Sequence, residues 1–210
     1  MIPTREEWQR CLEIRHTKAV QDKLSAARVA VCGLGGLGSA IAAALARIGI
    51  GRLHLIDFDR VELSNLNRQQ YSLSQLGKPK PLAMKEEIAR FAPYIQVDTD
   101  FVRLTEENIP VLLSKDEYIC EAFDDPQEKA MLTDSVLTAL SGKYLVGASG
   151  MAGFGDSNAV ITRKITRNYW LCGDGISDAG DGIGLMAPRV MICAAHQANM
   201  IVRLILGEEQ

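Results

Sequence analysis

The chain has 210 residues, 47% of them hydrophobic, which suffices for one sizeable core but not for two full domains. Its net charge of −3 and pI near 5.7 come from interspersed acids and bases, which argues against nucleic acid as the main partner. The stretch Met1–Arg10 is polar where a secretory signal would be apolar, and no later run reads as a membrane span, so a cytoplasmic protein with no membrane partner is expected.

In chain order, Trp8–Ala27 mixes apolar and charged residues at helical spacing and predicts an N-terminal helical segment, 1–27, outside the core. Residues 28–210 read as a single α/β domain. Arg28–Cys32 predicts a buried strand, Gly33–Gly38 a turn, Ser39–Ile48 an alanine-rich helix ended by Gly49 and Gly51, and Arg52–Ile56 a second strand. Asp59–Pro81 is long and polar without a clear period, and a loop of that length in a compact domain is usually functional.

Beyond it, Pro81–Phe91 predicts a helix, Ile95–Val102 a strand, Glu106–Leu113 a short helix, Tyr118–Phe123 a strand, Pro126–Leu140 a helix and Tyr144–Ala148 a strand. Asp156–Thr162 and Lys164–Leu171 are then expected to pair as antiparallel strands. Gly173–Gly184, with five glycines, reads as a mobile loop, and Pro188–Leu206 as a long apolar helix packed on the sheet. The expected fold is Rossmann-like, mostly parallel with an antiparallel edge and helices on both faces. The five cysteines are scattered and form no C-x-x-C pair, so neither a disulfide framework nor a zinc site is expected; Cys32, Cys120 and Cys193 sit in apolar runs as small core residues.

Gly33-Leu34-Gly35-Gly36-Leu37-Gly38 fits G-x-G-x-x-G between a strand and a helix, where glycines permit tight turning and close approach of a phosphate. Asp57 ends the next strand, where a carboxylate can accept hydrogen bonds from ribose hydroxyls. In isolation Asp57 and Asp59 would pass for turn acids, but their place in the unit makes a nucleotide site the better reading. The unit alone leaves NAD, FAD and ATP open. The loop that follows carries Asn65, Arg68, Lys78 and Lys80, cations that a triphosphate needs and a hydride carrier does not.

The glycine turn, the D-x-D-x-V-E-x-S-N-L-N-R-Q string from Asp57 to Gln69 and the G-x-P-K of Gly77–Lys80 together resemble the ThiF/MoeB/ubiquitin-activating-enzyme superfamily. The resemblance runs from about Arg15 through Leu206. It implies ATP-dependent adenylation of the C-terminal glycine of a ubiquitin-like carrier protein with release of pyrophosphate. By the same resemblance Asp57 would hold the ribose, Asn65, Arg68 and Lys80 the phosphates, with Lys78 a weaker candidate. Asp124 would bind a catalytic Mg²⁺, with Asp125 its alternative and a helix cap the plain structural role for either. An arginine from the N-terminal helix of a second subunit, Arg15 or Arg10, would complete the phosphate site of a homodimer.

The sequence lacks the two C-x-x-C pairs that hold zinc in many relatives, and it carries no rhodanese-like or ubiquitin-fold extension, so sulfur would come from a separate donor. Cys172, beside the glycine-rich stretch, matches a cysteine that attacks the acyl-adenylate in relatives, or else is a structural strand-end residue. Gly173–Gly184 looks like the crossover loop laid over the carrier tail, and His196 reads as a packing residue of the last helix. The zinc-free form, with Cys172-Gly173-Asp174 and Gly184–Arg189, looks most like the ThiF branch, which acts on the thiamine-pathway carrier ThiS. The alternatives are a molybdopterin-synthase-type adenylyltransferase, a tRNA threonylcarbamoyladenosine dehydratase, an NAD-binding oxidoreductase and a catalytically silent docking module.

Overall fold

A computed structural model of the chain describes residues 2–208. Two helices open it, α1 (Arg5–His16) and α2 (Lys18–Ala26), the first closed at its start by a reciprocal Thr4–Glu7 capping box. Thereafter β1 (Arg28–Cys32), α3 (Gly36–Arg47), β2 (Arg52–Asp57), α4 (Lys80–Phe91), β3 (Gln96–Phe101), α5 (Ile109–Leu112), β4 (Tyr118–Glu121), α6 (Pro126–Ala139), β5 (Tyr144–Ala148), β6 (Ile161–Lys164), β7 (Tyr169–Gly173) and α7 (Ala187–Leu206) follow. The seven strands form one sheet in the order β3-β2-β1-β4-β5-β7-β6, parallel throughout except for the β6–β7 pair. This is the Rossmann-like architecture with an antiparallel edge. The strand order reverses between β1 and β4, with β2 and β3 added on one side and β4 and β5 on the other, and in such sheets a crevice opens beyond the strand ends at that point.

Strand alternation divides the core in two. Val29, Val31, Leu53, Leu55, Val146, Trp170 and Cys172 face a cluster filled by α3, α4 and α7, whereas Ala30, Cys32, Ile56, Ile119 and Leu145 face α5 and α6. Helix α7 is by length and hydropathy apolar enough to pass for a membrane span, yet half of that window is buried. Cys193, Ala194, Ile201 and Leu204 are consumed by the core, where a fully buried Leu or Ile contributes about 1.5–3 kcal/mol.

Four element boundaries differ from expectation for local reasons. Helix α3 begins at Gly36, not Ser39, so the last two glycines of the turn lie inside the helix. Only one turn of helix forms near Ile109, because Thr105 and Asn108 exchange side-chain to backbone hydrogen bonds that hold the preceding residues in a turn. Strand β6 starts at Ile161, since Asp156 caps a short 3₁₀ turn by accepting from Asn158 N. Its partner is offset to Tyr169–Gly173 and pairs Thr162 with Cys172.

One ionic cluster stands out on the α5–α6 side. Asp116, fully buried, accepts from Arg28 Nε at 2.5 Å and from His54 Nδ1 at 2.8 Å, while His54 Nε2 meets Asp100 at 2.8 Å. An imidazole donating to two carboxylates must be the cation. Burial opposes that charge, but the two carboxylates outweigh it and raise the pKa of His54 above its ordinary 6.5. A group raised in the folded state stabilises fully below the unfolded value, and that stabilisation is lost as pH rises through the folded value. Every tenfold in proton affinity is worth about 1.4 kcal/mol, or about 3–6 °C for a chain of this size. The melting temperature is therefore expected to fall by a few degrees as pH rises from about 6 to about 8.5. His54→Asn should flatten the profile in a thermal scan across that range.

Candidate active site

A cleft of about 400 Å³ opens at the C-terminal ends of β1, β2, β4 and β5, lined among others by Gly35, Gly36, Asp57, Arg68, Lys80 and Asp124. Its floor is the glycine turn. Gly33 has φ +90°, and a Cβ there would sit 2.8 Å from Ala122 O. Gly35 is the N-cap of α3 with no side chain to satisfy the first N–H groups, so the helix presents unpaired donors to the cleft. Gly36 packs under Val190 and Arg68, and Gly38 lets the helix lie directly on the β1 turn.

Asp57 is buried, and both its oxygens are engaged by backbone: Oδ2 accepts from Leu34 N at 2.6 Å and Oδ1 from Asp59 N at 2.7 Å. Burial raises its pKa, and nearby Lys80 together with those two N–H groups holds the rise in check. Lys80, buried at the start of α4, donates to the half-exposed Asp59 at 2.8 Å. Among the described residues Arg68 bonds within its own loop, to Asn67 Oδ1 at 2.8 Å and to Ser64 O at 3.4 Å. Asn65 caps the local turn by accepting from Glu62 N at 3.1 Å.

The long polar segment between β2 and α4 is ordered by its own closure. Val61 N donates to Lys78 O, Gly77 N to Val61 O and Lys80 N to Asp59 O, which brings its two ends together. Tyr71 then ties it to the glycine turn through a 2.8 Å bond from its hydroxyl to Leu34 O, and Gln70 N donates to Ser39 Oγ. Neither residue had been expected at the site. Gln69, also unexpected, lines the cleft with a buried Oε1 that has no hydrogen-bond partner among the described residues.

At the opposite wall the two acids after β4 separate. Asp125 is the helix cap, accepting from Gln127 N at 2.8 Å and Glu128 N at 3.0 Å. Asp124 is exposed and faces the cleft. A hard carboxylate opposite the cations Arg68 and Lys80 has the chemistry to hold Mg²⁺, an ion that takes one or two carboxylates together with phosphate oxygens. Beyond Asp124 the cleft continues past Ser149 and Gly150 beneath the 174–185 segment, whose Ser177 and Leu185 also line it. That segment is fastened at both ends. Asp174 accepts from Ile176 N and Ser177 N and pairs with buried Arg189 at 2.6 Å; Gly184 O accepts from Gly153 N and Leu185 O from Asn67 Nδ2. Burial of Asp174 favours its neutral form, but these donors outweigh burial and hold its carboxyl well below the usual range.

Two expected candidates lie elsewhere. Lys78 is bound to Glu86 at 2.7 Å on the surface and does not line the cleft. Arg15 and Arg10, expected to reach the site of a second subunit, are exposed on α1. Cys172 is fully buried on β7, with its sulfur 3.4 Å from Thr162 Oγ1, which in turn meets His196 Nδ1 at 3.0 Å. Burial pushes the thiol up to about 11, against a weaker downward pull from Thr162 and Arg163. A thiol buried in this way suits the structural strand-end role better than that of a nucleophile. Cys172→Ser is expected to leave turnover within about threefold of wild type. Steady-state rates with a carrier substrate would show it.

The comparisons with known proteins agree with this geometry. The chain is 35% identical over 127 residues to a sulfur carrier protein adenylyltransferase of Thermus thermophilus, covering 60% of this chain and 46% of that protein. It is 30% identical over 191 residues to a molybdopterin-synthase adenylyltransferase of Salmonella typhimurium, covering 88% and 75%. Against several curated relatives the chain spans less than half of their length, 44% and 47% for two adenylyltransferase-sulfurtransferases. Among solved structures, an Escherichia coli tRNA N6-threonylcarbamoyladenosine dehydratase bound to ATP superposes with a TM-score of 0.87 at 20% identity, over 99% of this chain and 98% of that one, and so shares the fold. The sequence profile of the ThiF family matches residues 9–210, and the chain belongs to that family.

Proposed function

We propose that the protein adenylates the C-terminal glycine carboxylate of a small ubiquitin-fold sulfur-carrier protein of the ThiS type. The observation that supports this reading is a continuous cleft: a helix N-terminus, Arg68 and Lys80 at one end, Asp124 at the turn, and a passage past Ser149 and Gly150 under the 174–185 segment at the other. In it, Asp57 faces the ribose of ATP, while Asn65, Arg68, Lys80 and the first N–H groups of α3 hold the phosphates. A carboxylate oxygen of the carrier forms a bond to the α-phosphorus and the bond to pyrophosphate breaks, so alignment and charge neutralisation replace a general base. Mg²⁺, held by Asp124, would supply further neutralisation at the phosphates. A homodimer, with Arg15 or Arg10 of the partner subunit completing the phosphate site, and a separate sulfur donor belong to this reading.

The molybdopterin-synthase type of carrier is the second reading, favoured by the 30% identity to such an enzyme over 191 residues. Pyrophosphate exchange into ATP, assayed with purified carriers of both types ending in a free glycine, tests the proposal. Exchange stimulated by the ThiS-type carrier and abolished by Asp124→Ala supports it. Exchange only with the other carrier transfers the assignment, and none with either overturns it.

A further inference from the structure

The cleft wall contains an ion pair, its carboxylate buried and its ammonium half-buried, to which the proposed reaction assigns no role. Glu121, at the end of β4, is buried, and its carboxylate receives Lys129 Nζ at 2.9 and 3.1 Å. Lys129 stands one turn into α6, lines the cleft, and donates its remaining proton to Ala148 O, the last carbonyl of β5, at 2.9 Å. Glu121 also accepts from Phe123 N at 2.8 Å, the peptide immediately before Asp124.

These bonds close a ring. Strand β4 ends at Glu121, the chain turns through Ala122–Asp125 into α6, and Lys129 returns to Glu121, while Lys129 N donates to Asp125 O within the helix. The turn carrying Asp124 is thus pinned on both sides. Through Ala148 the same ammonium fixes the tip of β5, from which Ser149 and Gly150 line the other part of the cleft. Space for the carboxylate is kept by Gly147, where a Cβ would stand 3.1 Å from Glu121 Oε2, and Gln197 from α7 donates to Glu121 O at 2.9 Å and Val146 O at 3.1 Å. The three donor directions of Lys129 are used within the protein, so it is not a spare cation for phosphate.

We infer that Lys129 is a positioning residue: bridging Glu121 and Ala148, it sets the Asp124 turn against the Ser149–Gly150 wall, so that the metal-binding carboxylate and the acyl substrate meet in register. The inference rests on the adenylation reading. It separates two halves of the site, because Asp57 and Lys80 sit on β2 and α4, neither of which the bridge touches.

Binding of ATP without divalent cation and with Mn²⁺, the latter followed by electron paramagnetic resonance of the ion, distinguishes the halves. Lys129→Met is expected to leave metal-free ATP affinity within about twofold but to weaken Mn²⁺ binding in the ATP complex by about 10–100-fold, the usual effect of losing an outer support of a metal ligand. Lys129→Arg should recover most of it. Because the single variant strands a buried carboxylate, Glu121→Gln/Lys129→Met is the companion; it should fold like wild type and still bind Mn²⁺ at least tenfold more weakly. A double variant with wild-type Mn²⁺ binding overturns the inference, as does equal loss of metal-free ATP binding. Absence of carrier-stimulated exchange in the wild type overturns the adenylation reading, whereas wild-type exchange with unaltered Mn²⁺ binding in both variants overturns the bridge alone.

Discussion

Lys80→Met is expected to slow carrier-dependent pyrophosphate exchange by about a hundredfold to a thousandfold, the range for removing one preorganised group that stabilises transition-state charge. The size follows from its surroundings. Lys80 is 5% exposed, so its charge acts with little screening by water, and Asp59 holds it in one position at 2.8 Å. A second consequence concerns Asp57: its carboxylate is buried, and Lys80 is the leading influence that keeps its pKa down. Without that ammonium Asp57 takes up a proton more readily, so ATP affinity should also weaken, and more at low pH than at high. Exchange kinetics and nucleotide titration at two pH values would separate the effects, and unchanged exchange would remove Lys80 from the phosphate site.

Gly38→Ala should be a strongly damaging substitution for its size. A Cβ there would lie 1.8 Å from Gly33 O and 2.8 Å from Gly33 C, both backbone atoms that no rotamer change can clear. Helix α3 would have to lift from β1, at a cost of about 3 kcal/mol or more, lowering the melting temperature by about 6–12 °C. Gly35→Ala is the contrast. Its Cβ meets nothing nearer than Gln69 Nε2 at 3.8 Å, so the fold should hold while the methyl group intrudes where a phosphate would approach. Thermal denaturation together with ATP titration of the two proteins would show stability lost in one and affinity in the other. A Gly38→Ala protein that melts like wild type would contradict this packing.

The difference between these two glycines marks how far the sequence could be read. The G-x-G-x-x-G spacing, Asp57 and the Asn65–Lys80 string were legible because each depends on local chain geometry, a strand followed by a turn and a helix. The separation of Asp124 from Asp125 was not. Both fit a cap or a metal ligand until the N–H groups of Gln127 and Glu128 are seen on Asp125. Lys129 and Glu121 escaped notice because an i, i+8 pair across a strand end has no periodic signature, and its third partner, Ala148, is a backbone carbonyl from another strand. His54 was silent for the same reason, since Asp100 and Asp116 reach it from far along the chain. Cys172 stayed open between nucleophile and strand-end residue because the sequence does not show the β6–β7 register, in which pairing with Thr162 places the sulfur inside the sheet-helix core.

The closure of the loop between β2 and α4 has a thermodynamic consequence. Its backbone bonds Val61–Lys78, Gly77–Val61 and Lys80–Asp59, with the Tyr71 tie to Leu34, exist without any ligand. Fixing a residue costs about 1–2 kcal/mol of conformational entropy, and for this segment that cost is met when the chain folds rather than when nucleotide arrives. On the proposed reading, phosphate contacts of Arg68 and Lys80 would therefore appear in affinity nearly undiminished, which is the advantage of a preorganised site.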